Sequence, residues 1–231
     1  MRRYSSIVII FIGLFVAMAC DESSIPPDPA AAGNEYFPVG SDRFFIYDVE
    51  EVNYLLGGDI ASTTYQLKEE WQFSFISDND SVYVIYQYTR PSDMDVWQPP
   101  STLQVRKSDF NIALTEGNTP YVKLAFPVAE GKKWDGNALN EFEEDIYELD
   151  SIGAAYQGAM QFDNTLTVVQ SNIEDFIVEY DRRYEIYALG VGLVLKEGIV
   201  LQFCTDENCL GQQEVVTGRE YKQDLIAYGS L

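Results

Sequence analysis

The stretch YQLKEEWQFSFI, residues 65–76, alternates almost without a break. Tyr65, Leu67, Trp71, Phe73 and Phe75 share one side, interrupted by Glu69, while Gln66, Lys68, Glu70, Gln72 and Ser74 share the other. A period of two sends successive side chains to opposite faces of a strand. One face is then dry and the other wet, as in an antiparallel sheet. The run SDNDS, 77–81, is rich in turn residues, and SVYVIYQYTR resumes the alternation at Val82, Val84, Tyr86 and Tyr88. Together the two stretches predict a long hairpin.

The pattern recurs along the chain. RFFIYDVEEVNYL, 43–55, reads as a strand closed by Gly57 and Gly58. Shorter candidates follow at 102–107, 111–116, 121–126, 145–152, 165–170, 182–188, 192–198 and 198–204. The last pair either folds back around Glu197 and Gly198 or runs on as one bent strand. Residues 173–183 and 218–229 carry both helical and alternating spacing. We read both as strands, the second as the one that closes the sheet. No long amphipathic helix and no alternation of strand with helix is visible, which excludes a parallel sheet. The expected fold is all-β: about ten antiparallel strands in a strongly curved sheet, barrel or sandwich, with at most one or two short helices.

Composition narrows the chemistry. With 37 acidic and 15 basic residues the formal charge is −22, which repels phosphate backbones and excludes nucleic acid as a partner. Histidine is absent, so the Ser-His-Asp and Cys-His nucleophile systems and histidine-ligated zinc are excluded. Neither a metal-ligand pattern nor a cofactor motif stands in the chain. The GVG at 190–192 lacks the rest of a phosphate-binding loop and predicts a bulge or sharp bend. Cys204 and Cys209, in QFCTDENCLG, predict a disulfide across a short loop in an exported chain, worth on the order of 2 kcal/mol. Acidic residues such as Asp78, Asp80, Glu143 and Glu144 cluster in turns and read as solvated edges. A carboxylate-dependent glycoside hydrolase needs only two carboxyl groups about 5–9.5 Å apart, and sequence cannot pick such a pair, so no catalytic residue is assigned. Candidate ligand or partner contacts are Met94 and Trp97, in PSDMDVWQPPS, and Trp134, in KKWDGN. An aromatic ring in such a loop stacks on a sugar, seals a groove, or caps the core.

The first residues supply an address. Arg2 and Arg3 precede an apolar run from Ile7 to Ala19, 13 positions, which is shorter than the ~20 residues of a membrane-spanning helix and suits an export signal. Ala17-Met18-Ala19-Cys20 resembles the lipobox of bacterial lipoproteins. That resemblance implies cleavage before Cys20 and acylation of Cys20, giving a stable membrane anchor. Residues 1–19 are then a signal peptide, 20–33 an anchored, proline-containing stalk, and 34–231 a single β-rich domain.

A second resemblance covers most of that domain. EYFPVGSDRFFIYDV, FPVAEGKKWDGNALN, the stretch from FDNTLTVVQ to YALGVGLVLKEG, and REYKQDLIAYG are similar to an uncharacterised group of Bacteroidetes envelope lipoproteins. Its signature falls on Phe37, Pro38, Phe44, Tyr47, Gly131, Trp134, Gly190, Val191 and Gly192, with Phe44, Leu189 and Leu195 departing from the usual residues. The resemblance implies a β-rich fold and an envelope location, with outer-membrane attachment, and no chemistry. Within it, YFPVGSDRFFIY (36–47) and AFPVAEGKKWDG (125–136) echo each other and mark the starts of two matched halves. The reading is a non-catalytic, lipid-anchored protein that binds an envelope protein or a polysaccharide. A lipid carrier with an internal cavity is the alternative.

The address is testable by mass. The chain recovered from membranes should begin at Cys20 and carry a diacylglyceryl group, and Cys20→Ser should abolish that species while leaving the domain folded. An unmodified cysteine on a freely soluble product would overturn the anchor.

Overall fold

Alternating strands leave unpaired amides along both edges of a sheet, and this chain curls one sheet round until its two edge strands face each other. The computed structural model describes residues 32–231. The signal segment, Cys20 and the stalk as far as residue 31 lie outside the described residues. After a short 3-10 turn at Asn34–Tyr36 come twelve strands: β1 (Arg43–Tyr54), β2 (Ile60–Ser77), β3 (Asp80–Arg90), β4 (Ser101–Lys107), β5 (Asn111–Glu116) and β6 (Thr119–Ala125), then β7 (Lys133–Asp135), β8 (Ile146–Gln157), β9 (Gln161–Asp175), β10 (Glu179–Ala188), β11 (Gly192–Phe203) and β12 (Val215–Ser230). They form one sheet in the order β6-β5-β4-β3-β2-β1-β12-β11-β10-β9-β8-β7, antiparallel throughout. The predicted all-β class is correct, and of the predicted shapes the nearly closed barrel is the one adopted.

The order describes two six-strand meanders. β1 to β6 run one way round, β7 to β12 come back, and β12 pairs with β1 from Arg43↔Ser230 to Tyr54↔Gly218. The two FPV units, at Phe37 and Phe126, do precede β1 and β7. Curvature is produced by irregularity: register shifts interrupt many pairings, three of them between β8 and β9 alone. Each adds local twist and bends its strand.

Several elements differ from the expectation. β11 runs on through Glu197 and Gly198 as one strand. β12 is a strand as predicted but joins the two halves in the middle of the sheet, the closing seam lying between β6 and β7. Residues 173–183 are not one strand. They end β9, turn at Phe176–Val178 and start β10, so three exposed apolar residues at a hairpin tip mimicked a buried stripe. β7 is only three residues long, within a stretch read as a turn. In β3 the inner face carries Ile85 and Gln87, whereas Val84, Tyr86 and Tyr88 lie on the outer one; Lys68 sits 4.4 Å over the Tyr88 ring there.

One end of the barrel, the base, is plugged. Tyr36 and Phe37 are buried, and the Phe37 ring lies 5.7 Å from both Trp71 and Tyr187. The β10–β11 turn holds this strap: Gly190 N–H donates to Glu35 O at 2.8 Å, and Arg43 donates to Pro38 O and Val191 O. Gly190 and Gly192 have φ of 75° and 111°, conformations that favour glycine, and this is the role of the GVG.

The seam between β6 and β7 has little sheet pairing. Val122 N–H donates to Gly136 O at 2.8 Å, and the Trp134 indole N–H donates to Val122 O at 3.0 Å. Trp134 also meets Tyr147 edge-on at 6.1 Å. Trp134→Ala should cost about 3 kcal/mol, measured by chemical denaturation. Amides of β6 and β7 should then exchange with solvent before those of β1 and β12; uniform loss of protection would show that Trp134 does not hold the seam.

Candidate functional site

Ionised groups cross the inside of this barrel. Alternation places Glu69 on the inner face of β2, Lys123 on β6 and Glu185 on β10, each at least nine-tenths buried. Lys123 Nζ lies 2.7 Å from Glu185 Oε1, and the Tyr187 hydroxyl donates to Glu185 Oε2 at 2.5 Å. Burial opposes both charges, but their mutual attraction outweighs it: the Glu185 carboxyl is held below its ordinary range and the Lys123 ammonium above its own. Glu69 has no such cation in contact. It accepts from Gln87 Nε2 at 2.9 Å and more weakly from Trp71 Nε1 at 3.4 Å, and burial raises its pKa. Burial also lifts Tyr147 to about 12, and Tyr47 and Tyr187 well above the tyrosine range, so these phenols are neutral donors.

Glu69, Lys123 and Glu185 line a chamber of about 80 Å³ whose other walls include Phe45, Trp71 and Tyr187. Small-molecule sites occupy ~300–1,000 Å³, so this chamber has no room for a sugar ring or an acyl chain. Glu69 and Glu185 are nevertheless pushed in opposite directions, the pattern of an acid and base pair. Glu185, however, has one oxygen beside Lys123 and the other bound by Tyr187.

Above the chamber, at the end opposite the strap, the barrel opens. The mouth is a cavity of about 390 Å³ that shares Gln87, Glu116, Lys196 and Gln223 with the chamber. Register explains the opening. Arg183 of β10, Gly198 of β11 and Tyr221 of β12 stand side by side, and the glycine leaves a gap between two large neighbours. Tyr65, Thr89, Ser101 and Gln170 complete the wall from other strands. Tyr221 donates to Gln223 Oε1 at 2.8 Å.

The residues singled out from sequence are scattered. Trp97 folds onto the outer face of β2 and β3, its ring 4.3 Å from the Arg90 guanidinium and 5.1 Å from Lys68 Nζ. Met94 is exposed in the same β3–β4 loop, and Trp134 sits in the seam. Cys204 and Cys209 form a disulfide in the β11–β12 loop. With Glu214 they make the one three-residue cluster of metal-ligand type among the described residues, and both sulfurs are taken by the bridge. The interior polar groups were missed. Glu69 had announced itself as the break in an otherwise apolar face; Lys123 in YVKLAF and Gln170 at the end of TLTVVQ gave no comparable sign.

No protein-family model matches the chain, and no curated protein matches it. Among solved structures it is similar to a candidate exported protein with a YmcC-like fold from Bacteroides fragilis, at 11% identity and a TM-score of 0.48 over 84% of this chain and 98% of that one. It is also similar to a candidate lipoprotein from Parabacteroides distasonis, at 9% identity and a TM-score of 0.42, again over 84% and 98%.

The ion pair makes a sharp prediction. Lys123→Met leaves Glu185 buried without its cation and should destabilise the barrel by about 3–5 kcal/mol, whereas Lys123→Met with Glu185→Leu should come within a few kcal/mol of wild type or exceed it. The pH dependence has a definite sign. In wild type the depressed Glu185 pKa contributes stability above about pH 4.3 that is lost as pH falls through its folded value. In Lys123→Met, protonation instead relieves a stranded charge, so the deficit against wild type shrinks as pH falls. Urea titrations at several pH values read both effects.

Proposed function

We propose that this chain is a non-catalytic binding protein of the bacterial envelope, tethered through lipid on Cys20 at the outer membrane, which engages an envelope protein or a polysaccharide through the mouth of its barrel. The supporting observation is the polarity of the molecule. The described chain enters at the base, where the strap plugs the barrel, and the cavity of about 390 Å³ opens at the far end. The β3–β4 and β11–β12 loops, carrying Trp97 and the disulfide, surround that same end. A stalk attached at the base presents the mouth away from the lipid.

The chamber favours this reading over a lipid carrier. An apolar ligand needs a roomy, uncharged interior, and here a space of about 80 Å³ is lined by Glu69, Lys123 and Glu185. Glycoside hydrolysis by Glu69 and Glu185 is disfavoured because the chamber that holds them is too small for a sugar ring.

Ser101 is exposed on the rim, and its side chain borders the cavity. Ser101→Trp should fill the mouth without disturbing the core. Retention of the detergent-extracted chain on purified envelope polysaccharide, and its cross-linking to envelope proteins in cells, should both be measured. Loss of the observed interaction at unchanged melting temperature is expected. Equal interaction by the variant would show that the mouth is not the binding element.

A further inference from the structure

The cations of the mouth are engaged internally, while Glu197 in the same lining faces no cation within ion-pair distance among the described residues. Arg183 is held by Asp145 at 2.9 Å and by Asp181 at 2.7 Å, Arg219 by Glu51 at 2.9 Å, and Lys196 faces Glu116 at 3.7 Å. A phosphate or a uronate would have to compete for a cation already engaged, while an uncharged ligand leaves these pairs intact. What remains for recognition besides Glu197 is neutral. Gln87, Gln170 and Gln223 line the wall with Thr89 and Ser101. A primary amide donates through nitrogen and accepts through oxygen, the complement of a hydroxyl group that does both.

Gln170 distinguishes this cavity from an ordinary polar cleft. It is 8% exposed, and its Nε2 has no hydrogen-bond partner among the described residues. It lines the mouth from β9, with Arg183 of β10 between it and Gly198. A buried donor without an acceptor costs about 1–3 kcal/mol, so an oxygen delivered there by a ligand recovers that cost. Tyr65 supplies aromatic surface in the same cavity, whereas the Tyr221 ring is faced by the Arg219 guanidinium at 4.6 Å and Lys196 Nζ at 5.7 Å. Amides, hydroxyls and an aromatic ring, with every cation facing an acid, describe a site for a neutral ring bearing many hydroxyls.

We propose that the mouth binds a neutral sugar residue, with Gln170 Nε2 donating to one of its oxygens and Tyr65 meeting its C–H surface. This rests on the reading of the mouth as the binding element and names the ligand class for it.

The test is a titration of the chain extracted from envelopes in detergent. The probes are neutral hexoses, N-acetylhexosamines and their disaccharides, with glucuronate and glucose 6-phosphate alongside, followed by calorimetry and saturation-transfer NMR. Saturable binding of a neutral sugar is expected, weakened about tenfold or more in Gln170→Leu and abolished in the rim variant Ser101→Trp. Tighter binding of the charged sugars overturns the ligand class, and wild-type affinity in Gln170→Leu overturns the role of Gln170. If no neutral sugar binds while Ser101→Trp still abolishes retention on polysaccharide or cross-linking to protein, the ligand class fails and the mouth reading stands. If Ser101→Trp alters no interaction at all, both fail.

Discussion

A buried ion pair spans the two halves of this barrel. Lys123 belongs to β6, the last strand of the first meander, and Glu185 to β10 of the second, and they meet at 2.7 Å in the interior. The halves join along β1 and β12 by a full ladder, but on the other side β6 and β7 share little more than one backbone bond and the Trp134 indole. Closing that side needs something beyond sheet pairing. A buried pair is a poor source of net stability, since desolvation consumes most of its attraction, yet losing either member is costly. Its use here is to specify: only the closed arrangement brings ammonium, carboxylate and Tyr187 hydroxyl together.

Once charge is committed to the interior, the neighbouring groups must be polar as well. Glu69 needs Gln87, and Lys196 stands next to Glu185 in register with Glu116 within reach. The polar layer grades into the mouth rather than ending at an apolar lid. The opposite end is filled by Phe37, Phe45 and Trp71, which wall the chamber on the side away from the mouth. One end becomes a packed plug and the other a wet opening, and the orientation of the molecule follows from where its charges sit.

The strands were legible because period two is an intrinsic property of a half-buried sheet, and residues 65–73 or 43–55 state it plainly. A bulge between Phe73 and Phe75, however, turns Phe75 from the predicted inner face to the outer one beside Val82. Which face turns inward was less legible. In β3 both faces are aromatic or β-branched, because Tyr88 covers Lys68 on the outside while Ile85 packs inside, so hydrophobicity could not choose between them. The three-residue β7 is too short to show any period. The tip at Phe176–Val178 showed two periods at once because its apolar side chains are exposed and answer to no face. Of the site, Glu69 was visible as a flaw in a pattern, whereas Gln170 takes its meaning from the gap at Gly198, two strands away in the sheet. The signature positions that resemble envelope lipoproteins fall at the strap, the β10–β11 turn and the seam, which is why they speak to fold. The same β11 continues through Lys196 to Gly198 and there becomes wall of the mouth.

Charge closes the argument about what such a mouth selects. The chain carries −22 overall, and a field of that sign repels anionic polymers and concentrates cations at the surface. Were the mouth itself cationic, it would be an attractive well inside a repulsive shell, suited to drawing in an anion. Its lysine and arginines instead face acids on the same wall, so the local field is small where the outer field is large. An anion is then repelled outside and offered no free cation within. A neutral ligand is indifferent to the shell and loses nothing on entry. It gains what the wall still has to give, the amide of Gln170 and the ring of Tyr65.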